Sequence, residues 1–264
     1  FIGLIKLTLL ILACFLDIQK NEKREKSVSF IRTLFKPKIF LSFLLIMFGS
    51  STAGYYFPVL AVHLIKKFNI PEERASYFLS IQGTSYILFS NIVPKVCSLL
   101  GLKLSICLNP FISTVFTLFL SPSAIFTQSV KTIITGLIFF GVAEGFVAIL
   151  GLDEMIEQVE ILFNLKNGSQ NDYGSAIYNL GINLGDSIGP ILGGYFTDKL
   201  NFDNCSYIFS GINFLLLVIY FIVSFSDIKA HFSPIKDGIK EGNKDNEKGE
   251  ELNFIDKEEE EEKV

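Results

Sequence analysis

The sequence predicts an all-α membrane protein that crosses the bilayer several times. Three observations carry this. Half of the 264 residues are hydrophobic, and the mean hydropathy is +0.45. The apolar residues fall in near-continuous runs of roughly 20 residues, the length of a bilayer-spanning helix. Charge is concentrated in the connectors and the C-terminal tail, so the net charge of −4 says little about the apolar part. A soluble domain with these runs would turn too many apolar faces to water.

The elements follow in order. Residues 1–16, "FIGLIKLTLLILACFL", read as the end of a membrane helix that begins upstream, because a signal peptide would open on basic residues. Residues 17–38 form a basic connector holding Lys20, Lys23, Arg24, Lys26, Arg32, Lys36 and Lys38. The positive-inside rule puts this loop in the cytoplasm. Hydropathy and helix breakers then place spans near 39–63, 76–98, 103–121, 132–151, 173–197 and 206–226. These make one six-helix bundle over residues 39–226. Alternation from the basic loop puts Lys95–Lys103 inside and "SPSAIFTQSVK" outside. The long connector after residue 151 and the tail are then inside.

That connector, "LDEMIEQVEILFNLKNGSQND", carries Met155, Ile156, Val159, Ile161, Leu162 and Leu165 at helical spacing. It reads as a short amphipathic helix lying on the membrane surface, with simple extension of the preceding span as the alternative. Residues 227–264 are charged, poor in core-forming residues and end in a glutamate run, which predicts a disordered acidic tail. Two N-x-S sequons occur. Asn167 falls on the cytoplasmic side, and Asn204 lies outside but close to the membrane.

Cys14, Cys97, Cys107 and Cys205 form no paired motif, and His63 and His231 stand apart. No metal, cofactor or nucleic-acid partner is expected, and no HExxH or paired catalytic aspartates occur in the spans. The chain reads as no enzyme.

Polar groups inside the spans carry the functional information. In the first span Pro58 withholds an N–H from the carbonyl of Gly54, which serves either a pore-facing break or a structural kink. In the second, Thr84 and Ser85 read as helix-to-helix glue and Gln82 as a cavity residue. Glu144 sits mid-span in "FFGVAEGFVAIL" with no base within a helical turn. An ionised carboxylate there is costly, so it is to be neutral, wet or paired, and a neutral buried acid suits a proton carrier.

The stretch "GINLGDSIGPILGGYF" concentrates five glycines, a proline and an aspartate. Asn179, Asn183, Asp186 and Pro190 share one helix face; Gly181, Gly185, Gly189 and Gly193 recur every four residues on the next. The glycine face is suited to close helix contact. The other offers a carboxylate and, because Pro190 lacks an N–H, the unpaired carbonyl of Asp186. That pairing suits a proton or cation site in a helix able to bend.

"GDSIGPILGG" fits G-x-x-x-G-P-x-x-G-G and resembles the antiporter motif of the major facilitator superfamily, in the copy carried by the eleventh helix of the vesicular amine and polyamine transporter branch. "FPVLAVHLIKKFNIPEERASYFLSI" is similar to that branch's seventh and eighth helices with the loop between them, and "GVAEGFVAILGLDEMI" to its tenth. The resemblance covers about residues 39–226. It implies the C-terminal six-helix half of a twelve-helix transporter, working by alternating access with an N-terminal six-helix half. It implies Gly185, Gly189, Pro190, Gly193 and Gly194 as the antiporter motif, and proton exchange against a small organic solute, often a cation, across a vesicle, organelle or plasma membrane. The sequence departs from the branch in three places. Phe57 stands where an acid precedes the proline of helix seven, the acid of helix ten aligns near Ala148, and "SNIVPKVCSLLGLK" has no aspartate. Amine specificity therefore does not carry over. The expected proton and solute pathway is Glu144, Asp186, Asn179, Asn183 and Gln82. A non-transporting sensor or scaffold of the same fold is the competing expectation.

Overall fold

The computed structural model describes the backbone of residues 30–121, 127–163 and 169–261, and the side chains of 30–121, 127–163, 171–229 and 231. The expectations for residues 1–29 and for the sequon at Asn167 lie outside these. The chain divides into two compact units, Phe1–Val223 and Ser224–Val264.

The described residues of the first unit are helical, without a strand. Helix α1 is Phe30–Leu34 and α2 is Pro37–Phe68. Proline at the first position suits a helix start, since its missing N–H would have had no partner there. Asn69 ends α2 in the left-handed region at φ 51°, returning its N–H to the Leu64 carbonyl, and Lys66 and Lys67 oppose the negative end of the helix dipole. Helix α3, Glu72–Ser90, follows Pro71 with Glu72 and Glu73 in its first turn. Then come α4, Val93–Leu100, α5, Leu102–Ile106, and α6, Leu108–Leu120. Gly101, at φ 78°, makes the turn between α4 and α5.

Helix α7, Val130–Phe163, starts on a reciprocal cap. The Thr132 N–H donates to Ser129 Oγ at 3.2 Å, and the Ser129 N–H donates to Thr132 Oγ1 at 2.9 Å. Helix α8, Ser169–Glu261, is broken at Asn201, where φ 69° and ψ 161° are not helical, so it comprises two arms.

Among the described residues four stretches are long and apolar enough to cross a membrane: Pro37–Phe68, Leu102–Leu120, Val130–Phe163 and Asn171–Lys229, the last lying within α8 and spanning its break at Asn201. The span expected at 76–98 falls instead on α3 and α4, parted at Asn91 and Ile92. Its serines, Gln82 and Thr84 dilute the hydropathy.

One expectation is corrected in favour of its alternative. Residues 152–163 are not a separate surface helix but the continuation of α7. Met155 and Val159 are fully buried, packed with Ile39, Phe43 and Ile177. The 34 residues of α7 rise about 51 Å, longer than the roughly 30 Å hydrocarbon layer.

Helix α2 is central. Its Tyr55 ring stacks on Phe209 at 4.5 Å and 3°, and Tyr56 meets Phe116 edge-on at 4.8 Å. Phe116 in turn stacks on Phe140 at 4.5 Å. Polar ties cross the same core. Asn213 donates to Thr52 at 3.0 Å, and Asn109 donates to the Ala143 carbonyl at 2.8 Å. Lipid tails are as apolar as these rings, so tight packing and such ties hold the helices together.

In the second unit, taken by itself, the backbone is helical through Glu261, where composition predicts disorder from residue 227. Lysine and glutamate are strong helix formers, so local propensity alone favours helix in a segment with little apolar surface to bury.

Candidate functional site

The glycine stripe meets α2. A Cβ at Gly181 would stand 3.2 Å from Ile46, and one at Gly185 would stand 2.8 Å from the Ser50 Cβ and strike the Met47 carbonyl. At Gly189 it would strike the Ser51 carbonyl, and at Gly193 the Tyr55 ring. The two helices therefore run parallel, backbone on backbone. Gly194 stands apart from this contact, because a Cβ there meets nothing within 4 Å.

From the other side, α2 presents Gly54 to the proline notch of α8. A Cβ at Gly54 would lie 2.9 Å from Pro190 Cδ and 3.4 Å from the Asp186 carbonyl oxygen. Gly54 is also the residue whose carbonyl Pro58 leaves without an N–H, although α2 stays helical through Pro58. The two proline-weakened places, one per helix, thus meet at one crossing. Ser51 Oγ, one turn before Gly54, is buried there without a hydrogen-bond partner.

Helix α7 packs antiparallel to the first arm of α8. Gly174 faces Ile156, Gly151 faces Tyr178, and the Tyr178 hydroxyl donates to the Ala148 carbonyl at 2.9 Å. Continued, this register brings Glu144 opposite Asp186, close enough for the two charges to interact. Glu144 is half-buried, and its Oε2 is buried with no hydrogen-bond partner. Native proteins leave few such atoms, so each calls for an explanation.

The other expected residues are placed as follows. Asn179 is exposed and Asn183 half-buried. Their amides donate to carbonyls one turn back in their own helix, Ser175 and Asn179, each at 2.8 Å. Gln82 is buried where α3 crosses α7 at Gly141, within a helix contact. Ser85 beside it donates to the Ile138 carbonyl at 2.7 Å and so ties α3 to α7. Thr84 is exposed and bonds the Ser80 carbonyl of its own helix.

A second polar cluster was not anticipated. Glu154, on α7 about 15 Å along the axis from Glu144, is fully buried. Its Oε1 accepts from Ser42 at 2.9 Å, Tyr220 at 2.8 Å and Gln158 at 3.0 Å. Its Oε2 accepts from Lys103 at 2.7 Å, and Lys103 also pairs with Glu157 at 3.3 Å. Residues from α2, α5, α7 and the second arm of α8 are joined at this point. Only Gln158 is a local partner, so nothing in the sequence around Glu154 announces the cluster. An acid in a stretch reading as an amphipathic connector was the one available signal.

Among the described residues no group of three or more His, Cys, Asp or Glu could hold a metal ion. Neither the protein-family models nor the curated proteins compared with this chain match it.

Proposed function

We propose that the chain is part of a proton-coupled secondary transporter that exchanges protons for a small organic solute, with Glu144 as the proton carrier and Asp186 as its neighbouring acid. The observation that carries this reading is the buried, partnerless Oε2 of Glu144 opposite Asp186, at mid-height of a long apolar helix. Two carboxyls held near one another disfavour a double negative charge. A proton on one of them, or a cation between them, relieves that cost. A solute carrying positive charge is the competitor such a pair selects.

The surrounding helices supply a means of movement. Helix α8 touches α2 along glycines with no side chains to interlock, and each helix carries near their crossing a proline, which has no N–H to give the turn before it. Breaks of this kind are tolerated where the backbone is covered by protein or faces a cavity. The resemblance to the major facilitator superfamily supports the same reading and adds a second six-helix half as the partner across the solute path.

The test is uptake by the full-length protein in proteoliposomes under an imposed pH gradient, with a panel of small organic cations. The wild type accumulates solute, and dissipating the gradient abolishes accumulation. Glu144→Gln equilibrates solute without accumulating it. Accumulation by Glu144→Gln at the wild-type level refutes the assignment.

The second reading, a sensor or scaffold of this fold, is favoured by the segment between α3 and α5. It lacks the aspartate of the transporter pattern, and Lys103 just after it is locked onto Glu154. Absence of uptake for every solute and gradient supports that reading.

A further inference from the structure

At the end of the bundle opposite Glu154, His63 on α2 sits in a bracket that fixes its protonation state. Gln128, in the connector before α7, joins three elements. Its Nε2 donates to the Leu120 carbonyl at the end of α6 and lies 3.0 Å from His63 Nε2. Its Oε1 accepts from Lys67 on α2. Two of these partners allow no choice, since a carbonyl only accepts and an ammonium only donates. They set the orientation of the amide. The NH2 group therefore faces His63, and His63 Nε2 must be the acceptor. The ring is then neutral, with its hydrogen on Nδ1.

Adding a proton to Nε2 sets N–H against N–H. Rotating the amide to present Oε1 to the ring would turn NH2 toward Lys67 and take the donor from Leu120. No orientation of Gln128 satisfies all three partners once the imidazole is protonated.

The charged groups facing the ring are Lys67 from α2 and Asp203 from α8. Lys67, one turn on, opposes a positive ring. Asp203 favours it. Asp203 Oδ2 is 3.8 Å from Lys67 Nζ, while its Oδ1 is buried without a partner. The ring itself is stacked on Phe202, with centroids 4.0 Å apart, next to Asp203 in sequence. An imidazolium leaving Gln128 thus has an acceptor within the same cluster.

We infer that His63 is a proton-binding switch: the neutral ring holds Gln128, two residues before α7, to α2, and the protonated ring gives up Gln128 for Asp203. On the topology that the positive-inside rule predicts, this is the outer end, and the switch would there meet the medium outside the cytoplasm. It holds whether or not the chain transports a solute, because it rests on the bracket alone.

Two measurements on the full chain in lipid nanodiscs test it. The chain has only two histidines, so 15N-histidine spectra of the wild type and of His231→Gln assign His63. At pH about 8 His63 shows the Nδ1–H tautomer, and it protonates as pH falls to about 5, the range in which imidazoles titrate. An Nε2–H tautomer, an imidazolium already present at the higher pH, or no titration overturns the proposal. A spin label on a cysteine replacing the exposed Thr127 reports whether the neighbouring Gln128 is held. The label gains mobility on acidification in the wild type and shows no pH response in His63→Phe. A pH response that persists in His63→Phe refutes the switch. If that variant does not fold, the wild-type nitrogen spectra decide alone.

Discussion

Glu144 and Glu154 are the same side chain on the same helix, ten residues apart, with opposite surroundings. Glu154 has four hydrogen-bond donors, including a lysine, and Glu144 has a buried oxygen with none. The first is built for stability. Removing one member of a buried ion pair strands the other charge and costs about 3–5 kcal/mol, whereas replacing both together costs much less. Lys103→Met is therefore expected to unfold the detergent-solubilised protein at clearly lower temperature. Lys103→Met combined with Glu154→Gln is expected to recover most of the loss, and a double-mutant cycle of melting temperatures checks this. Glu144 stands out in the sequence because an acid alone in an apolar run is conspicuous. Glu154 does not, because its partners Ser42, Lys103 and Tyr220 lie 112, 51 and 66 residues away. No local pattern encodes a contact of that range.

At the scale of the helix, the stretch from Gly181 to Gly194 shows how far a repeat can be read. The period of four announced one face made for close contact, and Gly181, Gly185, Gly189 and Gly193 line the contact with α2. The identity of α2 as the partner depends on the whole bundle and was not legible. Nor does the motif distinguish its members, although the structure does. Any Cβ at Gly189 strikes the Ser51 backbone, which has little room to yield, while Gly194 opens on empty space. Overpacking of this kind costs about 1–3 kcal/mol. Gly189→Ala should lower thermal stability accordingly, and Gly194→Ala should leave it unchanged within about 0.5 kcal/mol. Residues 152–163 illustrate the converse. Their amphipathic pattern was evident, but an apolar stripe looks the same whether it lies on lipid or on other helices. Only the burial of Met155 and Val159 separates the two cases.

At the scale of the molecule, two polar constellations mark the ends of the bundle and a pair of acids marks its middle. One cluster is His63 with Gln128, and the other is Lys103 with Glu154. Between them Glu144 and Asp186 lie in the apolar mid-region, where the proposed proton transfer takes place. All-helical architecture was legible in the runs of apolar residues, because hydrocarbon forces each backbone to satisfy its own hydrogen bonds. Which helices face one another was not, since apolar faces are interchangeable until packed. The central claim is that Glu144 exchanges a proton within the membrane, and infrared spectroscopy of the protein in lipid bilayers tests it most directly. A protonated-carboxyl band that grows and fades with pH in the wild type, and is missing from Glu144→Gln, is the predicted result. No such band at any pH, a band indifferent to pH, or one unchanged in Glu144→Gln would contradict the account.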